Sequence, residues 1–498
     1  MNRGFFKLFF CAVMVFMFLS GNAFGQLSIV MGGNNREQAN AIVRSFDSLN
    51  GGFVLAGFAR GDDTNALIIQ TRLDGTPVNA VTSVGKLEDI ATSMVATSDR
   101  HYVITGWTRS YKKKPGDKDK DDMFIIKLRE DFSQAWAKVY HVDSTDPDHR
   151  AFSIIECSKE LGGGYAVTGW HATDPKTHRV IVLRVKEDGS IQWIRTFQPG
   201  YTWSEGYSLC EVKGDPNTKF AVVGACLPQG NSLKDAFLLR LRADGTALGT
   251  TLFNGKYDDS AQTVAWDNNL KKPGIVVAGW TKSCGEGVPA TGNIWVSKFT
   301  SAGTKIWANA YSWSKLSEKP ENNEQIMGDK SLIVASEVTG GGYALTGCTY
   351  SRGPATPDSP NVLLFRVSPD GKLMWGNQGS VHPSYPFDNM SDGGCALVEI
   401  PAFPKQGIQE NCLAIAGWSN SFGTSNPPTS ENFLLSLFLA RTGTRPEGCA
   451  VQFPMQSNPF NVKPGESVAY TNAGSTGEFK VVPCKPLYRR ICKEKIIN

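Results

Sequence analysis

Apolar positions along this chain fall into short runs, and one run recurs seven times: a strand-like segment ending in Gly, usually with an aromatic residue next. It reads Phe53-Val54-Leu55-Ala56-Gly57-Phe58, Tyr102-Val103-Ile104-Thr105-Gly106-Trp107 and Tyr165-Ala166-Val167-Thr168-Gly169-Trp170. It returns at Ala221–Gly224, Ile275–Trp280, Tyr343–Gly347 and Leu413–Trp418. The glycines at 57, 106, 169, 224, 279, 347 and 417 are spaced by 49, 63, 55, 55, 68 and 70 residues. A constant core at uneven spacing describes one supersecondary unit carrying loops of variable length.

Each unit predicts three further strands. A second apolar run follows a loop, as in Met123–Leu128, Val180–Val185, Phe237–Leu241, Ile294–Phe299 and Val362–Val367. Turns at Asp188-Gly189, Asp244-Gly245, Gly303 and Asp370-Gly371 come next, often with a Trp strand beyond them at Trp136, Trp193, Trp307 or Trp375. Asp-Gly between strands is a hairpin signal, because both residues tolerate positive φ. Ahead of each Gly motif lies one more strand, at Ala39–Val43, Ala91–Val95, Ala151–Ile155, Ser208–Val212, Ala261–Ala265, Ser331–Ala335 and Cys395–Val398. Beyond the first residues nothing has helical periodicity. Seven antiparallel four-stranded units predict an all-β, seven-bladed β-propeller, whose closure removes free sheet edges. Leu27–Met31 precedes the first inner strand as an outer strand would. It is therefore expected to complete the seventh blade and close the ring.

The unit resembles the secreted bacterial β-propeller repeat proteins, through Gly163-Gly164-Tyr165-Ala166-Val167-Thr168-Gly169-Trp170 and Asp235-Ala236-Phe237-Leu238-Leu239-Arg240-Leu241. The likeness runs over about residues 27 to 450. It implies the fold and nothing of the function. A weaker likeness is to quinoprotein-type propellers, through Asp370-Gly371-Lys372-Leu373-Met374-Trp375.

Residues 1–25 have the parts of a secretory signal: Arg3 and Lys7, the apolar Leu8–Leu19, and Ala23-Phe24-Gly25 before Gln26. The chain thus divides into a signal peptide, a propeller over 26–451 and a C-terminal extension over 452–498 that the repeat does not place. Its expected location is secreted, periplasmic or at the cell surface, with no transmembrane segment once the signal is cleaved. Of 51 basic residues the signal takes two, leaving 49 against 47 acidic. A near-neutral surface argues against nucleic acid as a partner. Setting Cys11 aside leaves ten of 11 cysteines, an even number in an exported chain, which points to disulfides without giving their pairing.

What recurs in every blade belongs to the blade. Trp107, Trp170, Trp280 and Trp418 are expected to pack between blades rather than to stack on sugars. The acids ahead of the inner strands (Glu37, Asp89, Asp259, Asp329 and Asp392, with Asp148 and Glu205 one position off) are expected to accept backbone N–H groups. Function belongs instead to the long loops at 109–121, 171–178, 226–234, 282–292, 312–330, 349–360, 380–393 and 419–431, which share one face. There His141, His149, His171 and His178 border the third blade among Asp143, Asp146, Asp148 and Asp174, donors that suit zinc. No pair has tight His-x-x-x-His spacing. Asp117, Asp119 and Asp121 imitate the start of a calcium loop, but Asp122 replaces its Gly, Leu128 its Glu, and lysines interleave. No cofactor is expected, and zinc or calcium at these loops is the exception to test. Without a Gly-x-Ser-x-Gly, His-Glu-x-x-His or phosphate loop, the first reading is a binding or scaffold module for a protein or glycan. The alternative is an exported enzyme, quinoprotein-like or acting on polysaccharide, with its site at the channel mouth.

Overall fold

The computed structural model describes residues 28–439, 480–483 and 487–491, less 32–35, 47–51, 61–62, 74, 76, 84–86, 111–119, 141–147, 175–176, 200–202, 229, 231, 270–271, 286–291, 313–323, 350–359, 375–383, 386–390, 403–409 and 420–431. Those residues form seven antiparallel sheets, with no α-helix among them. Blade 1 comprises Glu37–Arg44, Phe53–Arg60, Thr64–Thr71 and Pro77–Thr82; blade 2 Asp89–Ala96, His101–Thr108, Asp122–Arg129 and Gln134–Tyr140. Blade 3 runs from Asp148–Glu156 to Ile191–Phe197, blade 4 from Trp203–Glu211 to Ala247–Asn254, and blade 5 from Asp259–Asp267 to Lys305–Ser312. Blade 6 is built on Tyr343–Thr349 and Asn361–Val367, and blade 7 on Asp392–Ile400, Cys412–Ser419 and Asn432–Leu439. Ser28–Met31 pairs with the last of these, Ser28 opposite Ser436 and Met31 opposite Phe433, so the outermost strand of the seventh blade comes from the start of the ring. Blade 1 packs against blade 7, where Met31, Ala39, Phe53, Ala414 and Phe433 share one apolar cluster.

The repeated Gly has a steric cause. In six blades the innermost strand carries a one-residue bulge, between Ala39 and Ala41, Ala91 and Ser93, Ala151 and Ser153, Gly206 and Ser208, Ala261 and Thr263, and Gly394 and Ala396. A bulge kinks its strand toward the neighbour. A Cβ on Gly57, Gly169 or Gly224 would stand 1.8 Å from the carbonyl oxygen of Gln38, Arg150 or Glu205. The other four glycines would meet an equivalent oxygen at 1.9 to 2.0 Å. These contacts are with backbone, so no rotamer change relieves them.

The bulges also tie blade to blade. Ser93 Oγ accepts the Ile154 N–H of blade 3 at 3.2 Å, Ser153 Oγ that of Leu209 in blade 4 at 3.3 Å, and Ser208 Oγ that of Val264 in blade 5 at 3.1 Å. Blade 6 departs from this. Its innermost strand is split into Glu324–Ile326 and Leu332–Val334, and both pieces pair with Tyr343–Thr349. The residues between them enter the centre of the ring. There Asp329 accepts from Ser93 Oγ of blade 2 at 2.7 Å, its carbonyl accepts Thr263 Oγ1 of blade 5 at 2.7 Å, and Lys330 O accepts the Leu397 N–H of blade 7 at 3.0 Å. Asp329 therefore does not stand in the ring of loop acids where its sequence position suggested. It spans the channel.

On the short-turn face the Trp strands and the Asp-Gly turns prove to be one device. Trp136 Nε1 donates to Glu187 O, Trp193 Nε1 to Ala243 O and Trp307 Nε1 to Pro369 O, each in the next blade's turn, at 3.0 to 3.2 Å. Gly189, Gly245 and Gly371 lie against those indoles with φ of 74°, 82° and 81°. Only the Gly is left-handed; Asp188, Asp244 and Asp370 are not. The loop is therefore a three-residue turn ending in a Gly bulge, not the two-residue turn that Asp-Gly suggests. One position in the third strand buries a cation. Lys127 and Lys298 pair with Asp99 and Asp267, both at 2.6 Å, and lie over Tyr165 and Tyr343 of the next blade.

Two strands of the C-terminal extension are placed. Lys480–Pro483 adds to the outer edge of blade 5 and Leu487–Ile491 to that of blade 4. Six cysteines expected to join disulfides are instead buried thiols: Cys157, Cys210, Cys226, Cys348, Cys395 and Cys412. Burial pushes Cys157 and Cys210 up to about 12, which keeps them inert. The signal at 1–25 lies outside the described residues.

Replacing Gly169 by Ala should cost about 3 kcal/mol or more, because the bulge must be expelled. Gly162, at φ 82° with no atom within 4 Å of where a Cβ would stand, should lose only about 1 kcal/mol as Ala. Urea denaturation of the two variants checks this; equal losses would remove the steric account.

Candidate functional site

On the long-loop face a ladder of rings and cations crosses three blades. The aromatic after the repeat Gly ends the second strand, so its indole reaches the junction with the next blade's inner strand. Arg150 stands in that strand, with its guanidinium carbon 4.1 Å from the centre of the Trp107 ring and 5.6 Å from that of Trp170. Arg109 lies over Trp107 at 5.4 Å. Trp170 stacks on His178 at 4.3 Å, His178 on Trp203 at 5.8 Å, and Lys234 Nζ lies 4.6 Å over Trp203. The order is Arg109, Trp107, Arg150, Trp170, His178, Trp203, Lys234. Trp107 and Trp170 are nearly buried, as expected of residues packing between blades, whereas Trp203, Arg109 and Arg150 keep one edge in solvent.

Carboxylates hold the ladder. Asp121 receives Arg109 Nε on one oxygen and Arg150 Nε on the other, each at 2.7 Å, and Glu88 takes Arg109 Nη1 at 2.7 Å. Asp148 Oδ1 accepts the Asp121 N–H at 2.8 Å. His178 Nδ1 lies 2.5 Å from Glu205, whose other oxygen accepts the Tyr207 hydroxyl at 3.0 Å. Burial, with the Glu205 charge beside it, pushes the Tyr207 hydroxyl well above its usual range. Asp121, which the sequence places in a calcium-like loop, thus has its oxygens on arginines; Asp117 and Asp119 lie outside the described residues.

The histidines divide. His141 is outside the described residues. His149 and His171 are buried and stacked, centroids 4.9 Å apart, with Nδ1 facing Nδ1 at 3.0 Å. At that separation the two nitrogens share one hydrogen, one ring donating and the other accepting. His178 is not with them; it belongs to the ladder. Register explains the pair. The residue opposite the second position after the repeat Gly is Glu37, Asp89, Asp259, Glu324 or Asp392 in other blades. Asp89 accepts from Thr108 Oγ1, and Asp259 from Thr281 Oγ1 at 2.5 Å. In blade 3 that acid–hydroxyl pair is replaced by His149 and His171, and in blade 4 by Ser204 and Cys226. Asp89 and Asp259 also accept a backbone N–H, from Ser110 and Ser283, as expected of loop acids, and the hydroxyl of the partner strand adds to it. Asp148 and Glu205 stand outside this register position. Among the described residues no group of three or more His, Cys, Asp or Glu is arranged to hold a metal ion.

Sequence reading passed over a second cluster at the junction of blades 4 and 5. Asp235, Asp258 and Asp259 meet there, with Lys234 N donating to Asp258 Oδ1 and Asp259 N to Lys234 O, both at 2.8 Å. Burial, and then the charges of Asp259 and Asp258, push Asp235 up to about 7. Burial raises Asp259 to about 6 against the hydroxyls of Thr281 and Ser283. The cluster thus holds two buried acids with raised proton affinity. Its signals were present in Asp258-Asp259 and Asp235-Ala236-Phe237, but only folding joins them.

Arg150→Ala should cost about 2 kcal/mol, since it removes two ring contacts and half of the Asp121 clamp, and Arg150→Lys should recover only part, lacking the planar fork. Thermal denaturation reads this; full recovery by Lys would reduce the ladder to simple charge. For Asp235, the folded chain holds a proton up to about pH 7 that the unfolded chain releases near pH 4. Stability therefore falls as pH rises between those values. Asp235→Asn should melt about 2 °C or more above the parent at pH 8 and show no such gain at pH 4; a gain confined to acid would reverse the assignment.

No family model and no curated protein matches the chain. Among solved structures it is similar to a rhamnogalacturonan lyase of Bacillus licheniformis, PL11, at 12% identity and a TM-score of 0.26, over 85% of this chain and 74% of that one. It is also similar to the rhamnogalacturonan lyase YesW, at 9% identity and a TM-score of 0.27, over 85% and 73%. At such TM-scores the likeness says nothing of the site.

Proposed function

We propose that the protein is an exported binding or scaffold module that holds a protein or glycan on its long-loop face. The observation that supports this is the ladder: a fixed row of aromatic and charged side chains joins three blades beneath those loops and leaves the edges of Arg109, Arg150 and Trp203 accessible. Recognition residues held by a rigid scaffold lose little entropy on binding. The enzyme reading draws its support from Asp235 and Asp259, two acids with raised proton affinity at a blade junction on the same face.

The test measures binding of neutral and uronate-containing polysaccharides, and of co-secreted proteins, by calorimetry, alongside turnover of the same polysaccharides. For a ligand so found, the double variant Trp203→Ala, Lys234→Ala should weaken binding about tenfold or more with the melting transition retained, while Ile191→Asp on an exposed outer-strand site should not. Binding indifferent to the first variant and lost with the second would move the site off this face. Turnover abolished by Asp235→Asn would favour the enzyme instead.

A further inference from the structure

We infer that the axis of the ring holds a recess, open toward the long-loop face, that takes the end of a neutral glycan. The inference rests on the reading of that face as a binding surface and says what its centre holds. Each innermost strand carries one extra residue at its bulge: Asn40, Thr92, Phe152, Tyr207 and Gln262 in blades 1 to 5. The residues on either side of each, such as Ala39 and Ala41 or Ala151 and Ser153, are buried, whereas all five bulge residues are partly exposed. An innermost strand packed between two blades reaches solvent at mid-length only along the axis. These five side chains therefore line the channel.

The recess has a floor. The blade 6 segment that crosses the channel bonds to Ser93, Thr263 and Leu397. Each of these lies just beyond a bulge residue, Thr92, Gln262 or Cys395, on the side of the short turns. The crossing is thus beneath the bulges, and the channel above it faces the long loops. The same segment covers blade 7, where Cys395 is buried and a Cβ on Gly328 would stand 2.4 Å from its carbonyl oxygen. Blades 1 to 5 are left as the wall.

The wall is divided by chemistry. In blades 3 and 4 it is aromatic: Phe152 and Tyr207 have ring centres 5.7 Å apart, and the Tyr207 hydroxyl is engaged by Glu205. In blades 1, 2 and 5 it is polar. Asn40 Nδ2 and Thr92 Oγ1 donate to Ala91 O and Ala151 O of the next blade, both at 2.8 Å, which lays them along the wall. Gln38 Nε2 donates to Asn40 Oδ1 at 2.8 Å and Gln262 Nε2 to Ser260 Oγ at 2.7 Å, so each amide keeps its oxygen as an acceptor. On the floor Asp329 is 5% exposed, and no described residue donates to its Oδ1. A buried carboxylate oxygen without a donor is costly, and a hydroxyl reaching it relieves that cost. Aromatic rings beside amide and carboxylate acceptors suit a sugar, whose C–H face packs on rings while its hydroxyls donate. The sugar is neutral because the nearby cations are already held, His178 by Glu205 and Lys330 by Asp329.

The full chain is titrated by calorimetry with neutral oligosaccharides of glucose, galactose, mannose and rhamnose, and with oligogalacturonate. The expected result is binding of a neutral oligosaccharide that weakens about tenfold or more in Gln262→Ala and in Phe152→Leu, with the melting transition retained. If Phe152→Leu melts early, Gln262→Ala decides, since that side chain is partly exposed and bonds within its own strand. Binding indifferent to both variants but lost with Trp203→Ala, Lys234→Ala would overturn the recess and leave the face as the binding surface. So would binding of oligogalacturonate alone, or of co-secreted proteins with no saccharide bound. Failure to bind any of these ligands would overturn both readings.

Discussion

The contact on which the ring depends is the approach of a bulged innermost strand to the glycine of its neighbour. In six blades the bulge drives a backbone carbonyl into the space where a Cβ would stand, and in blade 6 the split inner strand does the same, at 1.8 to 2.0 Å throughout. Because the bulge turns the inner strand, it also aims a hydroxyl at the next blade: Ser93, Ser153 and Ser208 each accept an N–H across a junction. One steric allowance inside a sheet therefore sets the spacing between sheets. A methyl group there would disturb the junction as well as the strand pair.

Two further systems fix the angle of each blade from opposite faces. On the short-turn side, Trp136, Trp193 and Trp307 rest on the turn glycine of the following blade and donate to its backbone. On the long-loop side, Arg150 lies between two indoles while Asp121 clamps it from beneath. The polar groups that make these links are partnered, which is why they add rigidity instead of cost. The two faces differ in what they leave over. The short turns spend their polar groups on neighbouring blades, whereas the ladder keeps charged edges in solvent.

Departures from the repeat mark the individual blades. His149 and His171 occupy the acid–hydroxyl position of blade 3, so their meeting follows from register. Blade 6 extends its bulge into a segment that reaches Ser93 across the axis, so the channel is bridged by Asp329. The acids at blades 4 and 5 are buried at the junction, and burial first, then their neighbouring charges, makes Asp235 and Asp259 hold their protons more tightly.

How much of this was legible in the chain depends on range. Repeat period, strand count, the N-terminal strand's place in blade 7 and the inter-blade role of Trp107 and Trp170 followed from local pattern, because alternation and turn residues act over a few positions. The Gly motif was visible without its cause, since the carbonyl it accommodates comes from another strand. Sequence spacing misplaced Asp329 because an extension of the bulge by a few residues shifts register without changing composition. It grouped His178 with His149 and His171, although pairing in the sheet puts His178 against Trp170 and Glu205. The sequence by itself determined the sheets and their number, through hydrophobic periodicity. Only the tertiary structure decided which side chains from different blades meet, because ring closure brings together residues tens to hundreds of positions apart that no local preference relates.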